Sequence, residues 1–119
     1  MKTVLQVEFS PSLLLEREAI LKRAGFQVIS VLGSTEAQGL KVSDSAIEVV
    51  VIGHGATWLE RKDLITQFRK ALPGVQIVAL LRANDDSFKH ADFNCPADNP
   101  PLWERTIHKA IRKRNISPE

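Results

Sequence analysis

The sequence is poor in the features that most often reveal a location or a chemistry. Its single cysteine, Cys95, excludes an internal disulfide framework. No apolar run approaches the length of a membrane span, and the residues after Met1 lack the layout of a signal peptide. The formal net charge is only +2, too small to make nucleic acid or an anionic membrane the default partner. We therefore expect a cytoplasmic protein with no membrane partner.

What is present is the composition of a folded domain. The chain has 119 residues, of which 44% are hydrophobic and 25% charged, so neither disorder nor a fibrous repeat fits. This length supports one hydrophobic core and is too short for two domains of ordinary size. We predict a single domain over residues 1–119, with residues 115–119 as a frayed basic tail.

Short apolar segments alternate with segments of helical spacing along the chain. Strands are predicted at residues 3–9, 26–32, 47–52 and 75–81, with a short fifth strand at 92–95. Helices are predicted from Pro11 after an N-cap at Ser10, at residues 35–40, at residues 58–72 and from Pro100–Pro101. Five strands and five helices fit the length. The alternation predicts an α/β fold with a doubly wound five-stranded parallel sheet, flavodoxin-like (βα)5.

In such a sheet the functional crevice lies beyond the carboxyl ends of the strands. The residues at or directly after the carboxyl ends of the predicted strands are the candidates for a site: Glu8, Phe9, Gly53, His54, Leu81, Arg82 and the stretch Cys95, Pro96, Ala97. These positions are therefore the expected location of the functional site.

The chain resembles the receiver domain of bacterial two-component response regulators over nearly its whole length. The similarity runs through residues 7–14 and 21–28, the apolar run 47–52, residues 73–80 and residues 91–93. It implies a receiver fold and a role in phosphorelay signal transduction. The family's site uses an acidic pair after the first strand to hold magnesium and an aspartate after the third strand to accept the phosphoryl group. A Ser/Thr after the fourth strand and a lysine after the fifth complete it.

The matching positions here carry other residues. Gly53 stands at the acceptor position, Glu8 and Phe9 at the acidic pair, and Leu81 at the hydroxyl position. The lysine position falls between Cys95 and Ala97, and Pro96 matches the family's proline, which leaves a cis Cys95–Pro96 bond open. The resemblance therefore implies a degenerate pseudo-receiver that lacks the phosphoacceptor. We expect no catalytic residue, no cofactor and no metal, with Glu8 as the only residual acid.

Two functions are the main hypotheses for such a domain, and an adaptor that contacts nucleic acid through its basic last helix is a third. The leading hypothesis is a signalling module that acts by phosphorylation-independent protein–protein interaction and is not an enzyme. The alternative is a small flavodoxin-like ligand-binding protein or enzyme that uses the altered pocket near Glu8, His54 and Arg82. Glu8 is expected to be solvated or to pair with Arg82, and the glycines beside His54 fit a tight turn.

Aromatic residues near the end of the chain are the candidates for partner binding. Core packing explains Trp58 and Trp103 first, but an exposed Phe88, Phe93 or Trp103 would anchor a protein partner or a homodimer. The final basic run could touch nucleic acid, although cations at a helix C-terminus need no ligand. This run comprises Lys109, Arg112, Lys113 and Arg114.

Overall fold

A five-stranded parallel sheet forms the centre of the computed structural model, which describes residues 2–40 and 47–116. The strands are β1 (Thr3–Glu8), β2 (Gln27–Leu32), β3 (Val49–Ile52), β4 (Gln76–Leu81) and β5 (Phe93–Pro96). Their order in the sheet is β2-β1-β3-β4-β5, and every neighbouring pair is parallel. The predicted flavodoxin-like sheet is confirmed.

Helices connect most of the strands. They are α1 (Pro11–Arg23), α2 (Gly33–Gly39), α3 (Trp58–Ala71) and α4 (Pro100–Ile116). Ser10 is the N-cap residue of α1 and Pro11 its first residue, as predicted, although the Ser10 side chain makes no capping hydrogen bond. Because α4 continues to Ile116, the first two residues of the predicted frayed tail are helical, and residues 117–119 lie outside the described residues. None of the described helices combines the length and apolar character needed to cross a bilayer.

Two apolar layers cover the two faces of the sheet. Successive residues of a strand point to opposite faces, so Leu5 of β1 packs in the layer of α2 and α3 while Val4 packs in the layer of α1 and α4. All four residues of β3 are buried, as a central parallel strand requires. These layers fix the strand ends and, with them, the positions of the residues that follow.

The connection between β4 and β5 departs from the prediction. The described residues contain four helices instead of five, because residues 82–92 form a loop. Asp85 closes a turn there: its Oδ2 accepts a hydrogen bond from the Arg82 amide at 2.8 Å, and its own amide donates to the Arg82 carbonyl at 3.1 Å. Asn94 pairs with both backbone groups of Phe88, at 2.8 and 3.2 Å. Side chains thus satisfy backbone groups that a helix would satisfy internally.

Candidate functional site

The carboxyl ends of β1 and β3 bring Glu8 beside Gly53. Glu8 is fully buried, and a Cβ added at Gly53 would lie 2.1 Å from Glu8 Oε1 and 2.4 Å from its Cδ. Gly53 does not have a positive φ, which among the described glycines only Gly25 and Gly33 show. Position 53 therefore requires glycine because a larger residue would not fit beside Glu8, and not because of its backbone conformation. The Glu8 carboxylate fills the volume that a side chain at the predicted acceptor position would take.

Arg17 of α1 holds this carboxylate in place. Its Nη1 donates a hydrogen bond of 2.6 Å to Glu8 Oε2, and its Nη2 lies 3.0 Å from His54 Nδ1. A guanidinium only donates, so Nδ1 accepts and the ring proton of His54 is on Nε2. The guanidinium also lies 5.9 Å from the ring centroid of Trp103. One buried arginine thus joins the end of β1, the loop after β3 and helix α4.

Burial and neighbouring charges decide the protonation of this cluster. Desolvation raises the pKa of Glu8, while the hydrogen bond and positive charge of Arg17 oppose that rise. Desolvation also lowers the pKa of His54, and the charges of Arg17, Arg82 and Arg61 lower it further. His54 is therefore a neutral imidazole at neutral pH, and the charges of Glu8 and Arg17 are paired with each other.

The expected surroundings of Glu8 were wrong. Glu8 is neither solvated nor paired with Arg82, because it is fully buried and its partner is Arg17 of α1. Arg82 lies instead over the loop before α3, where its Nη2 donates to the Ala56 carbonyl at 3.3 Å. Its Nε is 3.6 Å from Asp85 Oδ2.

The residues around Glu8 do not fit a magnesium ion. Magnesium needs near-octahedral oxygen coordination, usually from one or two carboxylates together with substrate phosphates and waters. Here Glu8 supplies one carboxylate, Arg17 binds one of its oxygens, and Phe9 and Gly53 offer no side-chain oxygen. Across residues 2–40 and 47–116, no three His, Cys, Asp or Glu side chains come together as metal ligands.

A second buried ion pair lies beside the first, between Arg61 of α3 and Asp85 of the 82–92 loop. The pair is bidentate, with Nη1–Oδ2 at 3.0 Å and Nη2–Oδ1 at 3.1 Å, and Arg61 is fully buried. Arg61 Nε donates to the Ala56 carbonyl at 3.1 Å, and its guanidinium lies 5.3 Å from the Phe88 ring centroid. The hydrogen bond from Arg61 is the main cause that lowers the pKa of Asp85 to about 2. Neither Arg61 nor Asp85 is among the site residues predicted from the sequence.

A cleft of about 680 Å³ opens at the carboxyl edge of the sheet. It brings together five of the predicted site residues, His54, Leu81, Arg82, Pro96 and Ala97, with Arg17, Ala83, Asp85 and Asp98. Glu8, Phe9 and Gly53 do not line it. The Cys95–Pro96 bond is trans, since the described residues contain no cis peptide bond.

The aromatic candidates for partner binding are mostly internal. Phe88 is 2% exposed and Trp103 is 1% exposed, so neither presents a surface to a partner in this conformation. Trp58 stacks on Phe88 with ring centroids 5.0 Å apart, and Trp103 packs against α4's own apolar layer, which confirms the predicted core packing. Phe93 is half-buried under Lys113, whose Nζ lies 5.6 Å from the ring centroid. A binding role for Phe93 stays a prediction.

Cys95 is a free, buried thiol. It is 2% exposed, and its nearest polar contact is Thr106 Oγ1 at 3.9 Å from Sγ. Desolvation raises the pKa of the thiol, so it is protonated at neutral pH and a poor nucleophile.

The fold of this chain is similar to that of several solved structures. No family model and no curated protein matches the chain. A response regulator receiver domain protein from Clostridium thermocellum matches with a TM-score of 0.86 at 17% identity over 98% of each chain. The response regulator TrrA from Thermotoga maritima, solved in complex with Mg2+-BeF, matches with a TM-score of 0.78 at 18% identity over 92% of this chain and 99% of that one. A receiver domain protein from Methanospirillum hungatei gives 0.80 at 16% identity over 97% of each. The chain therefore has the fold of response regulator receiver domains.

Proposed function

We propose that this chain is a cytoplasmic, receiver-like signalling module that binds protein partners without being phosphorylated. The observation that carries the proposal is the Glu8 carboxylate, paired with Arg17, in the space of a side chain at position 53. In the receiver domains that the fold resembles, an aspartate at this place accepts the phosphoryl group. Here the place belongs to an internal ion pair.

Each part of a phosphoryl-accepting site is missing or otherwise engaged. An acyl phosphate forms only on a carboxylate that can reach the donor, and Glu8 is fully buried beneath its arginine. Leu81 has no hydroxyl, and Pro96 and Ala97 have no ammonium group to offset phosphoryl charge. With these groups absent, packing and the two buried ion pairs set the conformation. We therefore infer that a partner binds a surface that phosphorylation does not change.

The proposal contains no catalytic step. Activation of a cysteine or serine nucleophile needs a base within hydrogen-bond reach, and His54 Nδ1 already accepts from Arg17. Cys95, the single cysteine of the chain, is buried. Burial raises the pKa of its thiol, so Cys95 is a poor nucleophile. We therefore infer a binding protein rather than an enzyme.

The first experiment tests phosphorylation directly. The purified protein is incubated with acetyl phosphate and magnesium, and its intact mass and 1H–15N spectrum are recorded, with an aspartate-containing receiver domain as the positive control. We expect the mass and the spectrum to stay unchanged while the control gains a phosphoryl group. A phosphoryl adduct on this chain would refute the proposal.

The second experiment tests binding. The immobilised protein is used to capture proteins from a lysate of its source organism, with and without acetyl phosphate and magnesium, and the captured sets are compared by mass spectrometry. We expect one specific set that does not depend on phosphorylating conditions. A set that changes with acetyl phosphate, or no specific protein at all, contradicts the proposed role.

A further inference from the structure

We infer that the cleft lined by His54, Arg82 and Pro96 binds a small organic anion with an apolar body, independently of any protein partner. At about 680 Å³ the cleft has the size of ordinary small-molecule sites. It differs from the space beside Gly53, which the Glu8 side chain fills.

The wall of the cleft formed by His54, Arg82 and Asp85 offers hydrogen-bond donors and has no free side-chain acceptor among these three residues. The Nε2–H of His54 has no hydrogen-bond partner among residues 2–40 and 47–116, and the side chain of Arg82 is half exposed. Asp85, the acid on the same wall, has both carboxylate oxygens bound by Arg61. A ligand that meets this wall must bring acceptor oxygens, as a carboxylate or a phosphate does.

The electrostatic surroundings of His54 favour the same ligand. Desolvation is the main cause that lowers the pKa of His54; the charges of Arg17, Arg82 and Arg61 lower it further, and that of Asp85 raises it. The three arginine charges that disfavour a proton on the imidazole create a potential that favours an anion beside it. An anion placed beside Nε2–H gains from that potential and from a charge-assisted hydrogen bond.

The remaining wall of the cleft is apolar. Leu81 and Ala83 follow β4, and Pro96 and Ala97 stand at the end of β5. These side chains offer no hydrogen bond, so the ligand needs a hydrocarbon or aromatic part beside its anionic group. Free phosphate alone would leave this wall uncovered.

Asp98 opposes an anion and fixes the orientation of the ligand. It is exposed and also borders a neighbouring groove between α1 and α4, together with Glu16 and Trp103. The anionic group must therefore lie toward His54 and Arg82, with the apolar part toward Pro96. Removal of the Asp98 charge should strengthen binding.

A titration followed at the histidine rings tests the site in the unmodified protein. The chain has three histidines, so a protein labelled with 15N-histidine reports His54 against His90 and His108 as internal controls. The probes are benzoate, phenyl phosphate and the neutral analogue benzamide. We expect saturable shifts of the His54 resonances with one or both anions, and none with benzamide. Preference for one anion identifies the head group as carboxylate or phosphate.

Charge variants then locate the contact. Arg82→Gln should weaken binding of the better anion about tenfold, the cost of losing one charge-assisted hydrogen bond. Lys89→Gln, which removes an exposed charge outside the cleft, is the matched control and should leave affinity unchanged. Asp98→Asn should tighten it. Absence of any saturable shift at His54, equal binding of benzamide, or equal affinity in Arg82→Gln would each overturn the inference.

Discussion

Glu8 and residue 53 compete for one volume, since a Cβ at position 53 would lie 2.1 Å from Glu8 Oε1. This exclusion couples the two positions. The Glu8 side chain, at the end of β1, reaches the space beside the residue that follows β3, and only glycine leaves room for it there. Arg17 pairs with the Glu8 carboxylate.

The competition predicts coupled stabilities. Gly53→Ala and Gly53→Asp should each lower the free energy of unfolding by about 2 kcal/mol, the cost of overpacking. In the background of Glu8→Ala the Gly53→Asp change should cost less or become favourable, because the volume is then empty and Arg17 gains a new carboxylate. Urea unfolding of the four proteins of this cycle measures the coupling. Additive effects within about 0.5 kcal/mol would show that the two positions do not interact.

Loss of the Asp85 side chain, which is only 10% exposed, should strongly reduce stability because Asp85 pairs with the buried Arg61. Asp85→Ala leaves the fully buried Arg61 charge unpaired and should cost about 3 kcal/mol of stability. Asp86→Ala, which removes an exposed acid from the next position, is the control and should cost little. Equal urea midpoints for the two variants would contradict the role of the pair.

The same pair predicts the acid response. The pKa of Asp85 is lowered to about 2 from 3.8, so its stabilisation is present above pH 3.8 and is lost as the pH falls through the folded value. Wild type should therefore lose more stability than Asp85→Ala between pH 4 and pH 2. Parallel losses, measured by thermal unfolding across this range, would refute the assignment.

His54 predicts a separate pH dependence near neutrality. Its pKa is lowered from 6.5 in the folded protein, so the unfolded chain takes up the proton first. Stability from this group is complete above pH 6.5 and declines as the pH falls toward the folded pKa. His54→Gln keeps an acceptor for Arg17 and should reduce the loss between pH 7.5 and pH 5.5, whereas His90→Gln, an exposed control, should not. An unchanged loss in His54→Gln would contradict the assignment of a neutral, half-buried imidazole at position 54.

Burial predicts how much each aromatic side chain contributes to the free energy of unfolding. Trp103→Ala and Phe88→Ala should each cost about 3 kcal/mol or more, because both side chains are buried. Phe93→Ala should cost less, since Phe93 is half-buried. Chemical denaturation of the three variants tests the order. A cost for Phe93→Ala equal to the others would mean that it too serves the core.

The sheet and its order could be predicted because apolar runs carry a strong signal. Residues 47–52 are apolar at nearly every position, as only a strand buried on both faces requires, and β3 is that strand. The missing helix between β4 and β5 was harder to predict, because receiver-like spacing leaves room for one. A signal existed in the turn-forming run Asn84, Asp85, Asp86 and Ser87.

The two buried arginines could have been found by position. Arg17 lies three residues after Leu14 and four before Leu21, and Arg61 stands in the same relation to Trp58 and Ile65. An arginine at such a place on an apolar stripe faces the interior and must have an anionic partner there. The partners themselves, Glu8 and Asp85, depend on tertiary contacts that no local pattern contains.

Arg17 belongs to a helix on one side of the sheet, and His54 to the turn that starts a helix on the other side. The sheet separates the helices on its two faces, and the Arg17–His54 hydrogen bond connects the two sides around the edge of the sheet. A shift of α1 that withdrew the guanidinium would release the imidazole and the carboxylate together.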